Sequence, residues 1–259
     1  MRKDYHIHPQ VILAPEAMER FIKSALDKNI EEICVTDHMP LSISSASDRI
    51  THGKVREYCR IVREMAKKYE NKIRIKCGIE IDFHPSVISE IENVLDDGDF
   101  DFILASSHMH VFIKDYPRYT FNDFAVMALE NSIKATEYGR FNAITHLDMY
   151  RWVFENPERF PLIKNEYDVF KNKALINELL DKIVKRDMYL EINPHFAESK
   201  QDITYTYPQV DIVKWAIEKG VSFSYGSDAH TPNSVGAYLS ELDKHFIYGK
   251  ALKKWEKGI

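Results

Sequence analysis

The alternation of short apolar runs with amphipathic stretches constrains the fold more than any other feature of this sequence. Seven runs rich in β-branched and apolar residues have the length of strands, at 4–8, 32–37, 73–82, 100–107, 142–146, 188–193 and 221–227. Seven stretches with helical periodicity lie between or after them, at 15–29, 52–70, 85–96, 122–139, 165–186, 208–219 and 234–247. Strands that alternate with helices indicate βαβ units and therefore a parallel sheet.

The number of these units favours a closed barrel. Seven units in 259 residues average about 37 residues each, which is a normal unit size for a parallel α/β barrel. No linker rich in glycine and serine divides the chain, so we predict an α/β fold with a single domain over residues 1–259. An open, doubly wound sheet is the alternative. The sequence has neither a GxGxxG nor a Walker motif, which weakens the dinucleotide-binding form of that alternative.

Composition and charge exclude several classes of protein. Hydrophobic residues make up 44% of the chain and charged residues 29%, which is typical of a globular protein. A net charge of −5 argues against a nucleic acid or an anionic membrane as partner. No uncharged apolar run approaches the ~20 residues of a membrane span. Three cysteines without a CxxC pair predict a reduced, cytoplasmic protein. The sequence leaves the oligomeric state open.

Histidines and carboxylates gather at the ends of the predicted strands. Eight such residues end a strand or follow one closely: His6, His8, His38, Glu80, His108, His146, Asp228 and His230. The carboxyl ends of parallel strands meet at one mouth, so we expect these side chains to converge. A buried cluster of this kind is costly without a cation, and its ligand types suit Zn, Mn or Fe. We therefore predict a site for more than one divalent metal ion, in which a carboxylate such as Glu80 can bridge two cations.

Six short motifs in order resemble those of the PHP (polymerase and histidinol phosphatase) superfamily, and its histidinol-phosphate phosphatase branch most closely. They are His6-Ile7-His8, Thr36-Asp37-His38-Met39-Pro40, Gly78-Ile79-Glu80, Phe100-Asp101-Phe102 through Ser107-His108, His146-Leu147-Asp148 and Gly226-Ser227-Asp228-Ala229-His230. The resemblance implies a distorted (β/α)7 barrel. It also implies three metal sites: His6, His8, Glu80 and Asp228 at the first, Glu80, His108 and His146 at the second, and His38 and His230 at the third.

The activity implied by this resemblance is that of a metal-dependent phosphomonoesterase. The substrate would be a small phosphate ester, above all L-histidinol phosphate in histidine biosynthesis, attacked by a metal-bound hydroxide. We expect Asp228 to bind metal and to accept a proton from the water. His230 or Asp37 could assist this proton transfer, and the sequence does not separate the two.

The sequence departs from the branch pattern in two places. Ala14 and Pro15 stand where the branch usually has a ligand of the third metal, which leaves open weak binding, water ligands or absence of that ion. The arginine that usually follows strand six is missing, and His195 stands in this segment. Candidate phosphate-binding residues are therefore His195, Arg151 and Arg118, since a cationic side chain pairs with phosphate oxygens.

Three rival functions remain from the sequence. An amidohydrolase-type barrel also begins with His-x-His but normally adds a carboxylated lysine, and no lysine lies in that place at the strand ends. A phosphodiesterase or nuclease of the same superfamily would share the metals and differ in its pocket. A PHP module without activity would be expected to have lost several ligands, whereas eight positions match here.

Overall fold

The fold rests on seven parallel strands in the part of the chain that the structure describes. The computed structural model describes residues 2–39, 41–43, 53–108, 120–152 and 168–256. The strands are β1 (Lys3–Ile7), β2 (Glu32–Val35), β3 (Arg74–Asp82), β4 (Phe102–Ser106), β5 (Ala143–Ile144), β6 (Tyr189–Ile192) and β7 (Ser222–Tyr225). Each predicted strand is present, with ends that differ from the prediction by up to two residues.

The strands follow one another around the sheet in the order of the sequence. Each strand pairs in parallel with the next, from β1 to β7, without a switch point. Beyond β7 the chain pairs with β1, since Ile7 and Ala229 form a parallel bridge and His8 N donates to Ala229 O at 2.8 Å. The result is a nearly closed barrel. The predicted barrel is confirmed, and the doubly wound sheet is excluded because its strand order would reverse.

Helices surround this barrel in the described residues. They are α1 (Ala17–Asp27), α2 (Val55–Tyr69), α3 (Ile88–Asp97), α4 (Phe121–Tyr138), α5 (Lys173–Lys185), α6 (His195–Lys200), α7 (Val210–Lys219), α8 (Leu239–Lys244) and α9 (Tyr248–Glu256). Short 3₁₀ turns lie at Pro85–Val87, Met149–Arg151, Val169–Asn172, Ile203–Tyr205 and Pro232–Ser234. That all of residues 1–259 form a single domain stays a prediction.

The predicted helix over 234–247 is wrong in its extent. The observed α8 is shorter because Gly236 and Tyr238 have positive φ angles of 67° and 56°, which a helix does not accommodate. The chain then forms α9, which was not predicted. Its buried residues recur with helical spacing at Tyr248, Ala251, Leu252 and Trp255.

Helix α9 covers the amino end of the barrel. The Trp255 ring lies 4.7 Å from the ring of Tyr5 in β1 and 5.4 Å from that of Tyr189 in β6. Beside them, buried Glu32 accepts a hydrogen bond from Tyr5 and forms an ion pair with Arg74 at 2.5 Å. Aromatic rings and an ion pair thus close this end of the barrel. The predicted histidine cluster lies at the opposite end.

The three cysteines are packed in the core as small apolar residues. Cys34, Cys59 and Cys77 are buried and form no disulfide. A side chain at Gly78 would place its Cβ 2.6 Å from Cys34 Sγ and 2.6 Å from Phe102 O, so β2, β3 and β4 come together only around a glycine. The cytoplasmic location that the cysteines suggested stays a prediction.

Across the described residues, every helix is too short or too polar to cross a bilayer.

Candidate metal centre

The predicted site residues converge at the carboxyl end of the barrel. His6 lies in β1 and Glu80 in β3, and the other six follow the ends of their strands at His8, His38, His108, His146, Asp228 and His230. Neighbouring imidazole rings are close, with 4.9 Å between the centroids of His6 and His8 and 4.8 Å between those of His108 and His146. The parallel topology therefore brings together side chains that are far apart in sequence.

Glu80 lies at the centre of the cluster. Its Oε2 is 2.9 Å from His38 Nδ1, 3.3 Å from His6 Nε2 and 3.5 Å from His8 Nε2. Its Oε1 faces the other side, 2.9 Å from His146 Nε2 and 3.6 Å from His108 Nε2. The two oxygens of one buried carboxylate thus face two separate groups of histidines, as a bridging ligand would.

Asp228 provides a second carboxylate on the His8 side of Glu80. Its Oδ1 is 3.2 Å from His8 Nε2 and 3.7 Å from His6 Nε2. Asp228 has a positive φ of 55°, and its backbone N–H donates to His6 O at 2.7 Å. The bridge that closes the barrel therefore also places this carboxylate against the His-x-His pair.

The donor atoms fit a divalent cation. Four groups of three side chains have ligand atoms within 4.8 Å of one another: His8, His38 and His230; His6, His8 and Asp228; His6, Glu80 and His146; and His195, Asp228 and His230. Among the described residues, His6 Nε2, His8 Nε2 and Glu80 Oε2 are buried and make no hydrogen bond. Buried polar atoms are normally satisfied, and imidazole with carboxylate suits Zn, Mn or Fe, so these atoms are suited to hold metal.

The charges of the cluster are strongly coupled without a cation. Burial raises the pKa of Glu80, but the positive charges of His38, His6 and His108 outweigh it and hold that pKa well below its ordinary value. Burial lowers the pKa of His8, and neighbouring His38 and His230 lower it further. Protons on some histidines thus balance the carboxylates in the absence of metal. Metal ligands must be deprotonated, so a cation would displace such protons.

His108 has a carboxylate partner behind it. Its Nδ1 lies 2.5 Å from Asp82 Oδ1, which also accepts a hydrogen bond from Ser106 Oγ at 3.2 Å. Burial lowers the pKa of His108, but Asp82 and Glu80 more than offset this and raise it to about 9. The Asp82 contact directs Nε2 of His108 toward Glu80.

Asp37 and His230 occupy different environments, although both were predicted to assist catalysis. The carboxylate of Asp37 accepts hydrogen bonds from the backbone N–H groups of Gln10 at 2.9 Å and Val11 at 2.7 Å. His230 is exposed at the rim, and its Nδ1 lies 3.0 Å from Asp228 O. The contacts of Asp37 thus stabilise the segment after β1, and its role in proton transfer stays a prediction.

The predicted phosphate-binding residues are placed differently from one another. His195 begins α6, with its ring centroid 5.5 Å from that of His230, beside the cluster. Arg151 is buried, and its guanidinium already contacts a carboxylate, with Nε 2.8 Å from Asp148 Oδ2. Arg118 lies outside the described residues.

The sequence interpretation missed buried carboxylates that contact the site residues from behind. Asp4 accepts hydrogen bonds from Ser227 N, Ser227 Oγ and Gly236 N at 2.9, 2.6 and 2.9 Å. Glu191 accepts one from His6 Nδ1 at 2.6 Å. The sequence does contain a signal for both residues, because each is a carboxylate within an apolar strand. A buried charge needs polar or charged partners, so such a residue is expected to contact other polar groups.

A parallel barrel with a histidine and carboxylate cluster at the carboxyl ends of its strands defines a class of candidate metalloproteins. The PHP domain model matches residues 4–195, so the chain belongs to the PHP domain family. The resemblance in the motifs is thereby confirmed.

Known proteins of similar sequence and fold agree with this assignment. A protein of Deinococcus radiodurans named "Probable histidinol-phosphatase" is 27% identical over 255 residues, covering 93% of this chain and 91% of that protein. The histidinol-phosphatase of Lactococcus lactis is 23% identical over 88% of this chain and 83% of its own length. A crystal structure of histidinol phosphate phosphatase from L. lactis, complexed with Zn, L-histidinol and phosphate, has a TM-score of 0.73 at 21% identity and covers 96% of this chain and 93% of that one. This structural similarity supports the fold.

Proposed function

We propose that this chain is a metal-dependent phosphatase that hydrolyses L-histidinol phosphate to L-histidinol and phosphate. The observation that carries the proposal is the position of Glu80, whose two oxygens face two groups of histidines 2.9–3.6 Å away. Two cations side by side suit the in-line displacement at phosphorus. The names of the relatives from D. radiodurans and L. lactis support the choice of substrate.

We assign the metal ligands as the sequence predicted them. One ion would be held by His6, His8, Glu80 and Asp228, a second by Glu80, His108 and His146, and a third by His38 and His230. When bound, such ions polarise the phosphoryl oxygens and make water acidic enough to attack near neutral pH. Zn, Mn and Fe all suit these donor atoms, and two to three ions are proposed.

The protein's own groups then orient and move protons. Asp228 accepts a proton from the attacking water, because its Oδ1 faces the cluster while Oδ2 is held by Asn193 Nδ2 at 3.3 Å. His230 lies next to Asp228 at the rim, and it would assist this transfer only in protein that lacks the third ion, because a metal-bound imidazole has no free nitrogen to accept a proton. General acid–base transfer of this kind contributes about 10²–10⁴-fold to a rate.

The phosphate would be bound at the same end of the barrel, beyond the cluster. His195 is proposed to contact its outer oxygens, since His195 lies beside Asp228 and His230. Arg118 remains a proposed second contact. Arg151 is proposed only as a residue that supports the site, because its guanidinium is already engaged by Asp148.

The experiment that tests the function is phosphate release from L-histidinol phosphate by Mn-, Zn- and Fe-loaded protein. Asp228→Asn keeps the shape of the side chain and removes its charge, so we expect a loss of at least about 100-fold in kcat. Asp211→Asn, in α7 and paired with Lys214 at 3.0 Å, is the matched control and should keep wild-type activity.

A second substrate class would be favoured by one specific result. If metal-loaded protein releases phosphate from nucleotides or other small phosphate esters but not from L-histidinol phosphate, the substrate proposal is wrong and the phosphatase proposal holds. The segment at His195, where the branch arginine is missing, would then be the structural reason. A protein that retains two or more metals and hydrolyses none of these esters would contradict the proposed activity altogether.

A further inference from the structure

Glu191, at the carboxyl end of β6, contacts three segments of the metal cluster at once. It is buried, with 1% of its surface exposed. Its Oε1 lies 2.6 Å from His6 Nδ1. Its Oε2 accepts hydrogen bonds from the backbone N–H of His146 at 3.0 Å and from Asn193 Nδ2 at 3.0 Å. Two of the three partners, His6 and His146, are predicted metal ligands, and Glu191 contacts them at atoms other than the Nε2 atoms that face Glu80.

The contact with His6 determines which ring nitrogen can bind a metal. A carboxylate oxygen only accepts hydrogen bonds, so Nδ1 of His6 carries a proton when it faces Glu191. The lone pair is then on Nε2, which points at Glu80 Oε2, 3.3 Å away. Within the described residues Nε2 is buried and makes no hydrogen bond. Glu191 therefore selects the tautomer of His6 that offers Nε2 to the cluster.

The contact with His146 positions the opposite side of the cluster. His146 has a φ of 26°, a value that a non-glycine residue rarely adopts. The hydrogen bond from its backbone N–H to Glu191 stabilises this conformation. His146 Nε2 is thereby directed at Glu80 Oε1, 2.9 Å away. One carboxylate thus aligns ligands on both sides of the proposed bridging residue.

Gly226 makes room for this arrangement. A side chain at position 226 would place its Cβ 2.1 Å from Glu191 Oε1 and 2.3 Å from His6 Cβ. The Glu191 carboxylate and His6 could not both keep their present positions against such an atom. The glycine that opens the last motif therefore lets Glu191 and His6 meet.

We propose that Glu191 is a positioning residue of the metal centre, which sets the tautomer of His6 and the backbone of His146. This role rests on the proposed function in one respect, namely that the cluster binds cations. Carboxylates behind metal-binding histidines commonly act in this way, and their loss typically costs 10–100-fold in metal affinity.

The first test compares Glu191→Gln with Glu32→Gln in the purified full chain. Glutamine has the same shape but only one acceptor oxygen, so it cannot accept from both His6 and His146. Glu32 is also buried but lies at the other end of the barrel, so its variant controls for loss of stability. Zinc affinity, measured by competition with a chelating dye, should fall roughly 10- to 100-fold in Glu191→Gln and stay at the wild-type value in Glu32→Gln. Equal affinities for wild type and Glu191→Gln would overturn the proposal.

The second test uses the wild-type protein and therefore does not depend on the folding of a variant. In zinc-loaded wild type, long-range ¹H–¹⁵N spectra of the His6 ring should show a protonated Nδ1 and a zinc-bound Nε2. The reverse assignment would overturn the proposal. Gly226→Ala, by separating the two side chains, should weaken zinc binding as Glu191→Gln does. These measurements use no substrate, so inactivity toward L-histidinol phosphate would contradict the proposed function and not the role of Glu191.

Discussion

The carboxylate of Asp148 lies 2.8 Å from the guanidinium Nε of Arg151, and both side chains are buried. Arg151 also donates to Thr206 O at 2.8 Å, and its guanidinium lies 4.8 Å from the Tyr207 ring centroid. Asp148 in turn accepts from Gln209 N at 3.0 Å. The ion pair therefore connects the segment after β5 with the segment that leads into α7.

Removing one member of this pair should mainly reduce stability. Arg151→Gln leaves the Asp148 charge buried without a counter-ion, which costs about 3–5 kcal/mol in the free energy of unfolding. Urea unfolding monitored by circular dichroism measures this loss. The double variant Asp148→Leu with Arg151→Met should recover most of it, because no charge is left unpaired. An Arg151→Gln protein of wild-type stability with a raised KM would show instead that Arg151 binds phosphate.

Removal of metal should lower the thermal stability of the chain. Ligand binding to the folded state adds RT ln(1 + [L]/Kd), or about 2.7 kcal/mol at a hundredfold excess over Kd. Tm followed by differential scanning fluorimetry should therefore fall after treatment with a chelator and rise again with added zinc. His8→Asn, which removes a ring near both Glu80 and Asp228, should show a smaller rise. A Tm that stays unchanged after complete removal of metal would contradict a metal site in this cluster.

Substitution of His195 separates substrate binding from metal binding. If its imidazole contacts phosphate, His195→Gln should raise the KM for L-histidinol phosphate roughly 10- to 100-fold, because a hydrogen bond to a charged group contributes about 1.5–3 kcal/mol. Metal content measured by mass spectrometry should stay unchanged. His245→Gln, between α8 and α9, is the control. Loss of one metal per chain in His195→Gln would make His195 a ligand, since it also groups with Asp228 and His230.

Asp37→Asn should destabilise the segment after β1, and the same variant tests the predicted role of Asp37 in proton transfer. Both oxygens of Asp37 accept backbone hydrogen bonds, and an amide has only one oxygen to replace them. One backbone N–H group is then left without an acceptor, and we expect the free energy of unfolding to fall by about 1–3 kcal/mol. If Asp37 also assists proton transfer, one limb of the plot of kcat against pH should be lost in the variant. A plot of unchanged shape would restrict Asp37 to stabilising this segment.

The pH dependence of stability should carry a contribution from Asp4. Burial raises the pKa of Asp4 to about 6, although hydrogen bonds from Ser227 and Gly236 lower it. The folded state therefore holds this proton more tightly than the unfolded state, whose pKa is near 3.8. Its stabilising contribution is full below pH 3.8 and is lost as the pH rises through about 6, a change of about 3 kcal/mol.

Asp4→Asn, which does not ionise, provides the comparison. Between pH 4 and pH 7 the unfolding free energy of wild type should fall relative to that of Asp4→Asn. Denaturant unfolding at a series of pH values measures the difference. If the unfolding free energy of wild type instead rises relative to that of Asp4→Asn as the pH increases, the hydrogen bonds from Ser227 and Gly236 outweigh the burial of Asp4.

Sequence alone predicted the barrel and its cluster because parallel topology leaves little freedom. Once strands are placed at 4–8 and 73–82, His6 and Glu80 must lie at the same end of the sheet. Strand β5 shows the limit of this reasoning. It was predicted over 142–146, but only Ala143–Ile144 pair as a strand, because His146 leaves the extended region with a φ of 26°. Local propensity does not reveal a conformation that distant contacts impose.

The residues behind the ligands could not be assigned from the sequence for the same reason. Glu191 contacts His6 across 185 positions of the chain, and only the folded barrel shows that pairing. Asp37 has the residue type of a catalyst, and its binding to two backbone amides follows from the loop conformation. Helix α9 has a helical pattern in sequence, but it follows the seventh strand–helix unit and precedes no further strand, so the count of βα units does not predict it.

The pairing of β1 with the chain beyond β7 has a consequence for how the protein reaches its native state. Asp4 and Ser227 lie 223 positions apart, and their contact forms only when the two ends of the barrel meet. Contacts of such long sequence separation form slowly, because the entropy of closing the loop precedes any gain. Asp228 reaches His6 and His8 through this same closure. Zinc uptake during refolding should therefore report the final assembly step of the barrel, and nascent chains that lack residues beyond β7 would carry an incomplete set of ligands.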